Sequence, residues 1–504
     1  MKKLGFSLFL VITAFTSYSQ TEGNVFFGSP IVHTVKFTFP YSNYTDSLTW
    51  SYTNDTYIRC DVEVDGTLYP DCGAKWKGNS SYSAPGIKKS FKIDFNEFIS
   101  GQSHDGLKKL NLNNGFKDPS FLREKLTLDF YVEHNLPAPR CTYVEVYING
   151  TLWGLYTGVE EVDKTFLNRW FGDDRGNLFK GDPTGDLKWM GSTPSLYYTK
   201  YELKTNEITN DWTDLVQLIN IINNSPSGSY TTDLSAFFDV DTYVYQWAAE
   251  VLFANLDSYT GSGHNYYVYH DSLTNKFHFI NWDVNEAFGE FSMGMTISQL
   301  ENLAITYIPS PSSNRPLHEK MLANGFQDDL YNAVCDLVNI DWSIWNLEWK
   351  IDSLADAIRP YVYADPNKFY SNANFESNIS SDVTFGSGPG GGTFPGIKSF
   401  LINRREALYT DLTANGCVVG IDEVNQNSTE MYPNPFVDLF TISVLNEGLN
   451  SLQVLNLQGQ RVYTAILSQG QNTVNLGSLT RGTYIIELKN SIFETVERKV
   501  IVKQ

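Results

Sequence analysis

Three residues stand in an order that can do chemistry: Asp257, then Asn265 eight positions on, then Asp283, 26 beyond the first. A carboxylate within reach of a hydroxyl can take its proton. A second carboxylate with an amide oxygen nearby offers the hard donors that magnesium prefers, and few are needed because that ion keeps several waters. Upstream, Lys92 lies in Lys88-Lys-Ser-Phe-Lys-Ile-Asp-Phe95, after the small-residue loop Lys75-Trp-Lys-Gly-Asn-Ser-Ser-Tyr-Ser-Ala-Pro-Gly86. A lysine so placed can reach a phosphate. His264, beside a glycine, reads as an exposed loop residue rather than as a base.

The elements that must hold these groups follow from periodicity and punctuation. Phe91, Ile93 and Phe95 alternate with Lys88, Ser90 and Lys92, so the lysine occupies the open face of a strand. A helix should begin with Asp118 as N-cap and Pro119 at its first position, and stop at Asn135 to Pro139. Phe121, Glu124, Leu128 and Tyr131 share one stripe of it, which places a carboxylate among core-facing positions and calls for a cationic partner. Tyr143 to Ile148 and Leu152 to Val159 flank Asn149-Gly150, a hairpin signal. A helical run over Val240 to Ala254 delivers Asp257 into a loop, and strands Tyr266 to His270 and Lys276 to Asn281 lead from Asn265 to Trp282-Asp283. The whole order, loop, strand lysine, helix glutamate, hairpin, acid, amide, hairpin and acid, is that in which kinases present base, metal-binding Asn and metal-binding Asp.

The 504 residues allow two to four domains, and 42% hydrophobic with 19% charged residues describe an ordinary globular chain. A net charge of −20 argues against a grip on nucleic acid phosphates or an anionic membrane. Residues 1–20 read as a signal peptide: Lys2 and Lys3 precede an apolar run from Phe6 to Phe15, too short for the about 20 residues a membrane span needs. No later segment reads as a span in the mature chain. The five cysteines leave two pairings open, Cys60 with Cys72 and Cys335 with Cys417, and no spacing suggests zinc. Gly386 to Gly392 reads as a flexible loop without a strand before it or a Gly-Lys-Ser/Thr after it.

A polar linker, residues 418–430, closes the main region (21–417, with a β-rich N-terminal extension), and the last segment, 431–504, changes rhythm. Short alternating strands run over Leu439 to Val444, Ser451 to Leu457, Gln460 to Ile466, Thr473 to Leu476, Thr483 to Leu488 and Glu497 to Val502, as in a small immunoglobulin-like sandwich. Tyr432-Pro-Asn-Pro435, Leu455 to Gly459, Gly482-Thr-Tyr-Ile485 and Lys499-Val-Ile-Val-Lys503 resemble the C-terminal sorting domain of type IX secretion cargo. That resemblance implies the type IX machinery as a partner, passage through the periplasm, and a secreted or surface location.

The main region resembles the CotH-like atypical protein kinases. The residues that carry it are Lys77-Gly-Asn-Ser-Ser81, Lys88-Lys-Ser-Phe-Lys92, Pro119 to Leu126, Gly154-Leu-Tyr156 with Glu160 to Asp163, Asn177-Leu-Phe-Lys180, His264-Asn-Tyr-Tyr267 and Trp282-Asp-Val-Asn285. The resemblance implies an α+β, atypical protein-kinase-like bilobal domain that uses ATP and Mg2+. It makes Asp257 the catalytic acid or base, Asp283 the principal metal ligand and Asn265 its helper. Lys92 paired with Glu124 would hold the α and β phosphates, with Lys180 as a rival lysine, and Trp282 would lie against the adenine. Two departures stand out: the Asp257 to Asn265 gap exceeds the five residues of ordinary protein kinases, and Asn285 replaces a second acid that many members carry, with Glu286 next to it.

The expected activity is transfer of the γ-phosphoryl of ATP to Ser or Thr of an exported protein substrate. Two other readings stay open. One is an inactive surface protein that binds a glycan or protein partner, and the other is a different ATP-dependent transferase on the same scaffold.

Overall fold

A computed structural model describes residues 21–340, 344–386, 391–417, 430–444, 449–456, 461–490 and 495–504. The expected signal peptide and most of the expected linker lie outside them. The chain divides into two compact units, Met1–Val419 and Gly420–Gln504.

The first unit begins with a closed barrel of seven strands: β1 (His33–Thr38), β2 (Ile58–Val64), β3 (Thr67–Lys77), β4 (Ser90–Asp94), β5 (Lys109–Asn113), β6 (Cys141–Ile148) and β7 (Thr151–Glu160). Their order is β1-β2-β3-β4-β5-β7-β6, and a parallel β1–β6 pairing closes the ring. Alternation decides which side chains go inside. Val62, Val64, Ala74, Phe91, Ile93, Leu110, Leu112, Val144 and Val146 fill the interior, and of the face of β4 expected to be open only Lys92 is half-buried: Ser90 and Lys88 are buried, Lys88 because it pairs with Asp365 at 2.6 Å. Asn149 and Gly150 both have positive φ, +47° and +80°, as a two-residue hairpin of this hand requires.

The rest of this unit is a second sheet and a set of helices around a larger core. The sheet, in the order β11-β10-β8-β9, comprises β8 (Leu178–Lys180), β9 (Glu202–Leu203), β10 (Tyr266–Asp271) and β11 (Lys276–Asn281). Its core includes Tyr131, Leu128, Trp247, Tyr266 and Tyr269, so the helix Arg123–Glu133 and the helix Val240–Leu252 share one apolar interior with the β10–β11 hairpin. Among the described residues no helix is long and apolar enough to cross a membrane.

Three local expectations need correction. The helix that carries Glu124 starts at Arg123, not at Pro119. Asp118 does satisfy backbone donors, but it takes the N–H groups of Ser120 (3.0 Å) and Arg123 (2.9 Å) across a turn in which Phe121 has φ +58°, so several residues pass before helical geometry sets in. Of the two cysteine pairings left open, Cys335 with Cys417 forms and ties the segment after the helix Ile397–Ala414 back to the helix Gln327–Ile340, whereas Cys60 and Cys72 face each other across β2 and β3 as free buried thiols. A short strand, β12 (Val383–Phe385), does precede the glycine-rich loop, and it pairs with β13 (Gly392–Phe394); residues 387–390 lie outside the described residues.

The second unit is built of β14 (Glu430–Tyr432), β15 (Leu439–Val444), β16 (Leu449–Leu455), β17 (Arg461–Ile466), β18 (Gly470–Asn475), β19 (Gly482–Asn490) and β20 (Thr495–Lys503). They form two antiparallel sheets, β14-β15-β18 and β17-β16-β19-β20. Phe440 and Ile442 from one sheet and Leu452, Val454, Ile486 and Leu488 from the other bury together, so this unit has a core of its own.

Candidate functional site

The helix Val240–Leu252 ends in a turn where Ala254 has φ +42°, and the chain then enters the loop that carries Asp257. Glu250, on the last turn of that helix, accepts hydrogen bonds from the Ser258 hydroxyl (2.9 Å) and the Thr260 hydroxyl, which fastens the loop from beneath. Asp257 is 9% exposed. Its carboxylate accepts from Asn265 Nδ2 at 2.9 Å and Ser262 Oγ at 3.2 Å, and lies 3.0 Å from His264 Nε2. Asn265 Nδ2 also donates to the Asp257 carbonyl at 2.9 Å. Both partners are acceptors, so the amide nitrogen must face them and the amide oxygen faces away.

The β10–β11 register sets the next step. Tyr266 stands opposite Asn281, and the Trp282 N–H donates to the Asn265 carbonyl at 3.1 Å, which brings Asn265 beside Trp282-Asp283 at the open end of the hairpin. Asn265 and Asp283 both adopt left-handed backbone, φ +60° and +56°. Such geometry is uncommon outside glycine and is retained where the surroundings over-determine it. Asp283 is exposed to solvent although protein crowds it from several sides, as a group on the floor of a crevice would be. Desolvation raises its carboxyl above the ordinary value, Lys77 pulls it down, Asp257 pushes it up, and Lys180 and His264 pull it down again. Burial alone would lower His264, but its hydrogen bond and proximity to Asp257 outweigh that and hold it above its usual value.

The opposite wall is the outer face of the barrel. Lys75, Lys92, Asn111 and Val159 align across β3, β4, β5 and β7. Glu161, two residues past Val159, falls on the same face. Lys92 Nζ lies 2.5 Å from Glu161 Oε1, and Asn111 Nδ2 donates to Glu161 Oε2 at 2.7 Å. Lys92 therefore pairs with Glu161 and not with Glu124. The helix carboxylate arrives one row farther along, where Asn113 Nδ2 donates to Glu124 Oε1 at 2.7 Å and Lys77 Nζ donates to Asn113 Oδ1 at 3.1 Å. Glu124 has an amide as its direct partner, and burial, with Asp283 adding to it, pushes its pKa up to about 8. Glu161 moves the other way: burial would raise it, but Lys92 and Asn111 bring it down to about 2.

Lys77 is the lysine that faces the acids. Its ammonium lies 5.2 Å from the centre of the Trp282 ring, and after desolvation, which lowers its pKa, Asp283 is the strongest influence on it. Lys180 sits opposite Tyr267 in the second sheet and is paired with Asp182 at 2.5 Å. Trp282 is mostly buried and meets the edge of Tyr267 at 5.8 Å. Asn285 donates to the Phe116 carbonyl at 3.3 Å, and Glu286 binds Lys117 at 2.7 Å.

Among the described residues no cluster of three or more His, Cys, Asp and Glu is arranged to hold a metal ion. The solvent-open Asp283 carboxylate and the outward-facing Asn265 oxygen nevertheless fit magnesium, provided phosphate oxygens and water supply its other ligands. Two surface concavities, one around Val244 and Ala333 and one around Met295 and Leu300, contain none of these residues.

The structure thus brings Asp257, Asn265, Asp283, Trp282 and Lys180 to one side of a crevice and Lys92 and Glu124 to the other. It adds Lys77 and Glu161, which sequence reasoning left without a role. A signal for Lys77 was present: Ala74 and Trp76 alternate with Lys75 and Lys77, so both lysines share the face of Lys92. Glu161 follows a strand end and stood in the Glu160 to Asp163 stretch that carries the family resemblance, with no role attached to it.

Two regions of the chain are similar to known proteins. Inner spore coat protein H of Bacillus subtilis (strain 168) is 29% identical over 289 residues, which cover 56% of this chain and 75% of that protein. Residues 430–503 match the secretion system C-terminal sorting domain, which marks the chain for export to the cell surface or for secretion. Residues 74–387, more than half of the chain and the whole of the crevice, match the CotH kinase protein family, and the chain belongs to that family.

Proposed function

We propose that this exported protein is an ATP-dependent protein kinase that transfers the γ-phosphoryl group to a Ser or Thr hydroxyl of another exported protein. In this reading the barrel and the helical half act as two lobes, and the C-terminal sheets form an immunoglobulin-like sorting sandwich. The observation that supports it most is the convergence, across one crevice, of an acid–amide–acid set on Asp257, Asn265 and Asp283 with Lys77 and the Lys92–Glu161 pair.

Asp257 would orient the acceptor hydroxyl and take its proton, held in register by Asn265, Ser262 and His264. Asp283 and the Asn265 oxygen would hold Mg2+, which neutralises charge on the phosphates. Lys77, facing Asp283, would meet the phosphates directly, with Lys92 behind it on the same wall, and Trp282 would offer its ring to the adenine.

The test is intact mass of candidate exported proteins after incubation with the protein, ATP and Mg2+. A gain of about 80 Da, lost in Asp257→Asn, supports the kinase reading, whereas about 329 Da would make it an adenylyl transferase. Asn285, held by the Phe116 carbonyl instead of offering a carboxylate, favours the second reading, a protein that keeps the scaffold without turnover and binds a surface partner. No mass change together with no nucleotide binding by calorimetry would select it.

A further inference from the structure

The segment between β5 and the helix Arg123–Glu133 projects one lysine toward the acids. Asn114 fastens it to the Lys88 carbonyl at 2.8 Å, and Asp118 fastens its far end through Arg123 Nη1 at 2.7 Å. Lys117 between them has left-handed backbone, φ +61°. Its direction is therefore set by the main chain. Its ammonium lies 2.7 Å from Glu286 Oε2 and 3.7 Å from Glu290 Oε2, and both glutamate side chains are only 7% exposed.

Three features mark this as more than a surface ion pair. Glu290 Oε2 is buried with no hydrogen-bond donor among the described residues, its one cation being Lys117 at 3.7 Å, and the Glu286 and Glu290 carboxyl groups lie within hydrogen-bond reach of each other. The charge of Asp257 acts on Lys117, Glu286 and Glu290 alike, so the cluster lies within electrostatic reach of the proposed base. Asn285, between Asp283 and Glu286, is turned onto the same segment through the Phe116 carbonyl. Two adjacent buried carboxylates are hard oxygen donors that a divalent cation, completed by phosphate oxygens and water, would use if no ammonium were there.

We propose that Lys117 supplies, from within the chain, the positive charge that a second divalent cation would otherwise bring near Asp257, so that this protein takes a single metal ion with its nucleotide. The proposal rests on the phosphoryl-transfer reading. It implies that removing the ammonium, and nothing else, opens a second cation site on Glu286 and Glu290.

The experiment is Mn2+ titration, followed by electron paramagnetic resonance, of the full chain with a β,γ-imido analogue of ATP. The parent should bind one Mn2+ per chain. Lys117→Met should bind two, Lys117→Met with Glu286→Gln one again, and Lys117→Arg, which keeps the charge, one. A parent that binds two, or a folded Lys117→Met that binds the same number as the parent, overturns the proposal. Should Lys117→Met fail to fold, Lys117→Gln takes its place, with Glu286→Gln in the parent, where no change in count is expected and a loss of Mn2+ overturns it. Absence of any nucleotide-dependent Mn2+ in the parent instead sinks the phosphoryl-transfer reading itself.

Discussion

The two walls of the crevice are built by different means. The barrel wall places Lys77, Lys92, Asn111 and Asn113 by strand register, on regular β backbone, and ties its charges together through amides. The opposite wall places Asp257, Asn265 and Asp283 by single contacts on irregular backbone, with left-handed φ at Ala254, Asn265 and Asp283. A register repeats, so the loss of one side chain leaves the others in place. A loop held by a few hydroxyls and one amide does not repeat, and its geometry depends on each contact. The strain sits where the reaction would occur.

The largest effects should therefore come from the irregular wall. Asp257→Asn should lower phosphoryl transfer by on the order of 10²- to 10⁴-fold while nucleotide affinity stays within a few-fold. Asp283→Asn should lower both turnover and Mg2+-dependent nucleotide affinity, read by calorimetry with and without the metal. Equal loss of affinity in both variants would erase the division of labour between the two aspartates.

On the barrel wall the larger effect is on stability. Lys92→Met leaves Glu161 buried without its cation and should cost about 3 kcal/mol in denaturant unfolding, because stranding one member of a buried pair is expensive. Adding Glu161→Gln should recover much of that loss, whereas Lys92→Met and Glu124→Gln should combine additively. Coupling of Lys92 with Glu124 in such a cycle would contradict the register described above.

Smaller and dependent on pH is the contribution of Glu250, which burial raises to about 7. Between its unfolded value near 4.5 and 7 the native protein holds a proton that the unfolded chain has released, so stability falls as pH rises through that window. Tyr131 and Tyr243, the titratable groups that feel its charge, stay protonated there, and its hydroxyl partners do not titrate. Glu250→Gln should flatten this part of the melting-temperature profile from pH 5 to 8. An unchanged slope would mean that Glu250 is ionised in the native state.

The smallest effect concerns His264. Its pKa is raised in the fold, so its pairing with Asp257 stabilises fully below the unfolded value of 6.5 and is lost as pH climbs through the folded value. His264→Ala should lower the melting temperature most near pH 6 and converge with the parent in alkaline buffer. A gap independent of pH would assign His264 to packing alone.

What the amino-acid order determined by itself is what local physics encodes. Alternation around Phe91 and Ile93 set which way Lys92 points, Asn149-Gly150 set the β6–β7 turn, and the helix, loop and hairpin from Val240 to Asp283 set the succession of acid, amide and acid. Strands β15 to β20 were legible for the same reason, since their periodicity and turn residues lie within a few positions of one another, whereas β14, at the Tyr432-Pro-Asn-Pro435 motif, carried no alternation to show it. Only the tertiary structure decided which charges meet. Lys92 selects Glu161 over Glu124 because β4, β5 and β7 align in one particular row, and no residue in Lys88–Phe95 records that row. Lys117 meets Glu286 across 169 positions, and Lys88 meets Asp365 across 277. Such pairings arise when distant segments pack, and the chain marks them only by leaving a charge where burial would otherwise forbid one.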